Sequence, residues 1–232
     1  MRTAGIVGGI GPESTIEYYR QIVATYRAKR PDGSYPPVLI NSIDMTKMLT
    51  MIGAGELAAV TEFLLAEIRT LARAGADFGV LASNTPHIVF GALKRAAPIP
   101  LLSIVDAACD AARAAGLRRP GLFGTRFTMG APFYPDAFAA AGMTVVVPSA
   151  PEQTYIHDHY LGELVHGVLR PETRAGLLAI IESMQAREGI DGLILGGTEL
   201  PLLLSAPAHG GLPLLDTTRL HVARIVERML AD

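Results

Sequence analysis

Short apolar runs alternate with longer segments of helical periodicity along the chain. Such runs, bounded by glycine and small polar residues, are typical of buried strands in a parallel sheet. The predicted strands span residues 3–7, 37–42, 77–82, 98–104, 120–124, 144–147, 192–195 and 212–215. The first predicted helix follows Pro12 and carries its apolar residues at Ile16, Tyr19, Ile22 and Val23. Further helices are predicted over residues 56–74, 106–115 and 173–187, from Phe133, and around His221. This alternation predicts an α/β fold.

The second half of the chain repeats the plan of the first. Gly8 precedes Ser83 by nearly the interval that separates Gly124 from Gly197. We therefore expect two pseudo-symmetric lobes, each an open, mostly parallel sheet flanked by helices, with the ligand cleft between them. Residues 1–104 with about 212–232 are expected to form the first α/β lobe, and residues 105–211 the second.

Composition narrows the class of protein. Of 232 residues, 50% are hydrophobic and 18% charged, so the core is ample. The net charge of -2 argues against a nucleic-acid partner or an anionic membrane surface. Cys109 is the only cysteine, so a disulfide within the chain is excluded and a cytoplasmic location is expected. Glycines at residues 8–11 break the first apolar run before it reaches the length of a signal peptide core or a membrane span.

Polar residues follow the predicted strands, where open α/β sheets place ligand groups. The loop Gly8-Gly9-Ile10-Gly11-Pro12 leads into a helix, and such a turn is a candidate anion site or simply a tight turn. Its spacing matches neither a phosphate-binding P-loop nor the dinucleotide fingerprint. Ser83-Asn84-Thr85-Pro86-His87 and Gly196-Gly197-Thr198-Glu199-Leu200 follow two other strands.

These motifs, in this order, resemble the aspartate/glutamate racemase family. The resemblance also rests on Ser-Ile-Asp-Met-Thr-Lys-Met-Leu, Leu-Phe-Gly-Thr-Arg-Phe-Thr-Met and Leu-Asp-Thr-Thr followed by His221, and it covers essentially the whole chain. It implies a homodimeric isomerase that racemises a small amino acid, most often aspartate or glutamate, without PLP or any other cofactor. In members with two cysteines, one thiolate takes the α-proton and a thiol returns it.

The resemblance also assigns site residues. The two acid–base positions fall on Ser83 and Gly197. The substrate-binding positions it implies are Gly9, Pro12, Lys47, Asn84, Thr85, Thr125, Thr128, His166, Thr198 and Glu199. Some relatives carry a lysine at the place of His166. Loop amides and hydroxyls are the expected stabilisers of charge on the reacting carbon.

The departure at Gly197 removes the two-thiol mechanism. A thiolate is attainable near neutral pH, whereas the serine hydroxyl of Ser83 needs a separate base and glycine has no side chain. Three interpretations stay open: another base has taken over, the protein binds an amino acid or dicarboxylate without racemising it, or Gly197 is an engineered substitution. Candidate bases are His87, Glu199, His157, Asp44 and His166. A decarboxylase or lyase that uses a single cysteine at one of these two positions ranks lower, because neither Ser83 nor Gly197 is a cysteine.

Simpler roles compete for several of these residues. Ser83, Asn84 and Thr85 would cap a turn, Thr125 or Thr128 a helix, and Lys47 would be a solvated loop lysine. His157 and His159 do not share a helix face, so no metal site is expected.

Overall fold

The computed structural model describes residues 1–231. Its strands are β1 (Ala4–Gly8), β2 (Val38–Ser42), β3 (Phe78–Leu81), β4 (Leu101–Leu102), β5 (Pro120–Gly124), β6 (Gly192–Gly196), β7 (Ala208–His209) and β8 (Leu212–Asp216). Its helices are α1 (Pro12–Lys29), α2 (Met45–Gly53), α3 (Leu57–Arg73), α4 (Phe90–Ala96), α5 (Ile104–Ala114), α6 (Arg126–Gly130), α7 (Phe133–Ala140), α8 (Ala150–Gly162), α9 (Pro171–Glu188), α10 (Leu200–Leu203) and α11 (Thr217–Leu230). Short 3-10 turns cover Thr85–Val89 and Leu164–His166.

Two sheets organise these elements. The first has the strand order β2-β1-β3-β4, with every pair parallel. The second has the order β5-β6-β8-β7, in which only β7 and β8 pair antiparallel. Because Val7 lies opposite Leu81, and Gly124 opposite Gly196, the loops that follow these strands are neighbours within each sheet. The predicted α/β class with two mostly parallel sheets is confirmed.

The chain divides into two compact units, Met1–Ile104 with the segment from His221 onward, and Val105–Leu220. The expected return to the first lobe near residue 212 is wrong. Leu214 of β8 pairs with Leu193 of β6, so this strand belongs to the second sheet.

The buried face of α1 agrees with the predicted one at Ile22 and differs from it at Ile16 and Tyr19. Ile16 is 61% exposed and Tyr19 50% exposed, whereas Tyr18, Ile22 and Tyr26 are fully buried. The latter three repeat every four residues and pack with residues of β1, β3 and α11 in the core of the first unit. The sequence pattern alone does not distinguish this stripe from the one that carries Ile16 and Tyr19.

Two predicted strands are much shorter than expected. Residues 144–147 form a single bridge between Val146 and Gly121, flanked by a hydrogen bond from the amide of Thr144 to the carbonyl of Arg118. Pro148 has no amide hydrogen to extend this pairing, and Ser149 already caps α8. The predicted strand over residues 98–104 is reduced to β4, because α5 begins at Ile104.

Candidate functional site

Three buried polar residues follow β3 in the first unit. Ser83, Asn84 and Thr85 are 7%, 2% and 4% exposed. The hydroxyl of Ser14, at the start of α1, donates to the carbonyl of Ala82 over 2.9 Å. This bond fixes the end of β3 against the first turn of α1. The three residues named from the sequence therefore lie together, buried at the carboxyl end of a central strand.

His87 is hydrogen-bonded to this segment, and both of its ring nitrogens are engaged. The amide of Ile104 donates to its Nε2 over 3.3 Å, so Nδ1 carries the proton and donates to the carbonyl of Ser83 over 3.0 Å. Burial lowers the pKa of His87 to about 4. His87 is thus a neutral residue that positions Ser83, which removes it from the candidate bases.

The glycine loop after β1 is closed tightly by its neighbours. Gly9 has φ +78°, and a Cβ there would lie 2.5 Å from the carbonyl oxygen of Ile43. Its amide donates to the hydroxyl of Thr15 over 2.8 Å. Pro12 opens α1 as its first residue. The amide of Gly9, an expected substrate-binding residue, therefore already has an acceptor in the first turns of α1.

Asp44 and Lys47 lie at the start of α2. The carboxylate of Asp44 caps the helix, accepting from the amides of Thr46 over 2.8 Å and Lys47 over 3.3 Å. Lys47 is exposed, and its ammonium lies 4.8 Å from the centre of the Phe63 ring. Asp44 therefore has a capping role, and Lys47 is held by a cation–π contact on the surface of the first unit.

In the second unit, Thr125 follows β5 and Thr128 lies in the short helix α6 that comes next. Thr125 caps α6 by accepting from the amide of Thr128 over 3.2 Å, and the two hydroxyls are also 3.2 Å apart. The amide of Arg126 donates to Nδ1 of His157 over 3.1 Å. Burial, and then the positive charge of Arg126, lower the pKa of His157. His157 therefore supports the loop as a neutral acceptor, which weakens its candidacy as a base.

A buried hydroxyl–carboxylate cluster follows β6. Thr198 is 3% exposed and Glu199 1% exposed, and the Thr198 hydroxyl donates to Oε2 of Glu199 over 2.9 Å. The hydroxyl of Tyr160, on α8, donates to the same oxygen. Burial, and then the negative charge of Glu199, raise the pKa of Tyr160 well above its usual range. Tyr160 is therefore a phenol, not a phenolate, beside Glu199.

The ring of Tyr160 also occupies the space in front of Gly197. A Cβ on Gly197 would overlap the ring carbon Cε2 and would lie 3.0 Å from Cζ and 3.1 Å from the hydroxyl oxygen. A cysteine at position 197 would therefore displace the ring. The packing around Gly197 therefore leaves no room for a side chain at this position.

The remaining candidates lie elsewhere. His166 is exposed in the turn Leu164–His166. Nδ1 of His159 lies 2.8 Å from the carbonyl of Tyr155. Within residues 1–231 no group of three or more metal-ligating side chains occurs, and no helix has the length and apolar character of a membrane span. Burial raises the pKa of the Cys109 thiol, so it is not a ready thiolate.

Sequence reasoning did not identify Tyr160. It lies four residues after the buried Ile156 on α8, and this spacing indicates a core position and no chemistry. The available signal was indirect: a glycine at an expected catalytic position leaves a space that another side chain must fill. Only the tertiary contact shows which residue fills it.

Solved structures with a similar fold indicate the class of protein to which this chain belongs. A candidate Asp/Glu racemase of Yersinia pestis is 28% identical over 100% of both chains, with a TM-score of 0.88. An aspartate racemase homologue of Pyrococcus horikoshii is 32% identical over 100% of both chains, with a TM-score of 0.83. Glutamate racemase of Francisella tularensis, solved with D-glutamate, is 15% identical over 98% of this chain and 81% of its own, with a TM-score of 0.69, and supports the fold alone.

The family then follows from the sequence. The model of the Asp/Glu/Hydantoin racemase family matches residues 7–225. The chain belongs to this family, and the resemblance seen in its motifs is confirmed.

Proposed function

We propose that this protein is a cofactor-independent amino-acid isomerase that binds a small amino acid with a second carboxylate, of the aspartate or glutamate class. The observation that carries the proposal is the burial of polar side chains after β3 and β6, where the racemase resemblance puts the acid–base groups. Ser83 lies in the first of these segments and Thr198 and Glu199 in the second. The match to the Asp/Glu/Hydantoin racemase family and the similarity to an aspartate racemase homologue of Pyrococcus horikoshii support the ligand class.

A second candidate function is binding without catalysis. It is favoured by one observation, the absence of a thiol at both Ser83 and Gly197. The same pocket chemistry would then serve an amino-acid or dicarboxylate sensor. The two functions share a ligand and differ in whether the α-proton exchanges with solvent.

Calorimetric titration with both enantiomers of aspartate and glutamate tests the shared part. We expect saturable binding of at least one enantiomer and weaker binding of asparagine or glutamine. The absence of binding by all four acidic amino acids would contradict the proposed ligand class. Exchange of the α-proton in deuterated water, followed by proton NMR, then separates an isomerase from a binding protein.

A substitution at Lys47 tests whether the protein prefers ligands with a second carboxylate. Replacing it with methionine keeps much of the apolar stem over Phe63 and removes the charge. We expect acidic amino acids to bind about fivefold more weakly, because an exposed ion pair contributes up to about 1 kcal/mol. Lys94→Met, at an exposed lysine of α4 in the same unit, is the matched control and leaves the affinity unchanged. Equal losses in both variants would show that Lys47 has no specific role.

A further inference from the structure

We infer that Tyr160 and Glu199 form the proton-transfer group of the second unit, in place of the thiol that Gly197 lacks. This inference rests on the proposed amino-acid isomerase function and names the residues that perform its proton transfer. It requires a base and a group that carries the proton between this base and the substrate α-carbon. Glu199 is the base, and Tyr160, whose hydroxyl donates to Glu199 beside Gly197, carries the proton.

The first support is position. The hydroxyl oxygen of Tyr160 lies 3.1 Å from the point where a side chain at residue 197 would begin. A thiol carried by that side chain would occupy the same small volume, so the phenol oxygen stands beside the place that the family gives to its acid–base sulfur. Because Gly197 has no side chain, the ring of Tyr160 lies directly against this position.

The second support is the hydrogen-bond arrangement. Glu199 is 1% exposed, and its Oε2 accepts from the hydroxyls of both Tyr160 and Thr198. A buried carboxylate that accepts hydroxyl hydrogen bonds is a base held in a fixed direction. Tyr160 lies between this carboxylate and the space at Gly197.

The proton transfer balances without any further reactant. The substrate Cα–H bond breaks, its electron pair stays on the α-carbon, and the proton forms a new O–H bond with the phenol oxygen of Tyr160. In the same step the original phenol proton passes to Oε2 of Glu199. The pair begins as a phenol with a carboxylate and ends as a phenol with a carboxylic acid. The reverse step returns a proton to carbon. No phenolate forms beside Glu199, which agrees with the raised pKa of Tyr160.

This arrangement gives the second unit a proton-transfer group that the segment around Ser83 in the first unit does not match. His87 does not activate the hydroxyl of Ser83, because it uses both ring nitrogens in bonds to the backbone. We therefore expect one enantiomer to exchange its α-proton with solvent faster than it is inverted. In a two-thiol racemase, by contrast, both acid–base groups are of the same chemical type.

The experiment measures α-proton exchange and ligand affinity separately, with aspartate and glutamate as probes. The test variants are Tyr160→Phe, which removes one hydroxyl, and Glu199→Gln, which keeps the shape and removes the base. Tyr134→Phe is the matched control, since Tyr134 is a fully buried tyrosine of α7 in the same unit. Thermal unfolding of each variant verifies that it is folded.

We expect Tyr160→Phe and Glu199→Gln each to lower exchange by about 100-fold or more, as general acid–base groups do, while affinity changes less than about fivefold. Tyr134→Phe retains the exchange rate of the unmodified protein. Exchange within about threefold of that rate in both test variants would overturn the inference and leave the proposed function standing. Binding without any exchange in the unmodified protein would also overturn it. Absence of binding by all four acidic amino acids would overturn the proposed function itself, and the inference with it.

Discussion

Gly197→Ala is the substitution that most directly tests the packing at the thiol-free site. The added methyl group would overlap Cε2 of Tyr160 and would lie 3.0 Å from Cζ. Tyr160 is 5% exposed and is also held by its hydrogen bond to Glu199, so the ring cannot turn away without losing that bond.

The expected magnitude follows from two opposing effects. Forcing an extra methyl into a packed core costs about 1–3 kcal/mol. Replacing glycine by alanine restricts the unfolded chain and returns about 0.4–1 kcal/mol. We therefore expect Gly197→Ala to lower the free energy of unfolding by about 1–2 kcal/mol. In a Tyr160→Leu background the outer ring atoms are absent, so the methyl fits and the substitution becomes neutral or stabilising.

A double-mutant cycle measured by urea denaturation gives the coupling between the two positions, which we expect to be about 2 kcal/mol. Gly162→Ala is the control, because no atom lies within 4 Å of a Cβ at Gly162, on the same helix as Tyr160. An equal effect of Gly197→Ala in both backgrounds would refute the account of Tyr160 as the residue that fills this space.

Three further outcomes follow from the described contacts. Burial lowers the pKa of His87 to about 4 and that of His221 to about 3, so below pH about 6.5 the unfolded chain binds more protons than the folded one and stability is lost on acidification. Between pH 6 and 5 the free energy of unfolding falls with a slope that approaches about 2.7 kcal/mol per pH unit for two such groups. His221→Gln should halve this slope, as measured by urea denaturation at several pH values. An unchanged slope would show that His221 does not contribute to it. Gly9→Ala should destabilise the first unit by about 2 kcal/mol or more in the same assay, since its φ is +78° and Ile43 blocks the methyl, and a neutral result would contradict the described loop. Thr125→Ala should lose about 1 kcal/mol with its cap, and Thr125→Ser should retain most of it.

Much of the fold could be predicted from the sequence because burial on both faces makes parallel strands visible as apolar runs. The strand ends at Ser83 and Gly197 were placed correctly for the same reason. The face of α1 could not be predicted, because Ile16 with Tyr19 and Tyr18 with Ile22 both fit a helical period. The preference between them comes from packing on the sheet.

The candidate site divides in the same way. Motifs predict the backbone positions of its segments around Ser83, Thr125 and Thr198. The state of each side chain depends on partners distant in the sequence. His87 is engaged by the amide of Ile104, and Gly197 is covered by a ring from α8. No local pattern contains those contacts.

The tyrosine ring over Gly197 also limits which substitutions position 197 can accept. Some glycine codons become cysteine codons by one nucleotide change. In this background the first step would collide with Tyr160 before any thiol chemistry could begin. A cysteine at position 197 is therefore accommodated more readily after Tyr160 has been replaced by a smaller residue, at the expense of its bond to Glu199. The order in which these two positions change therefore matters.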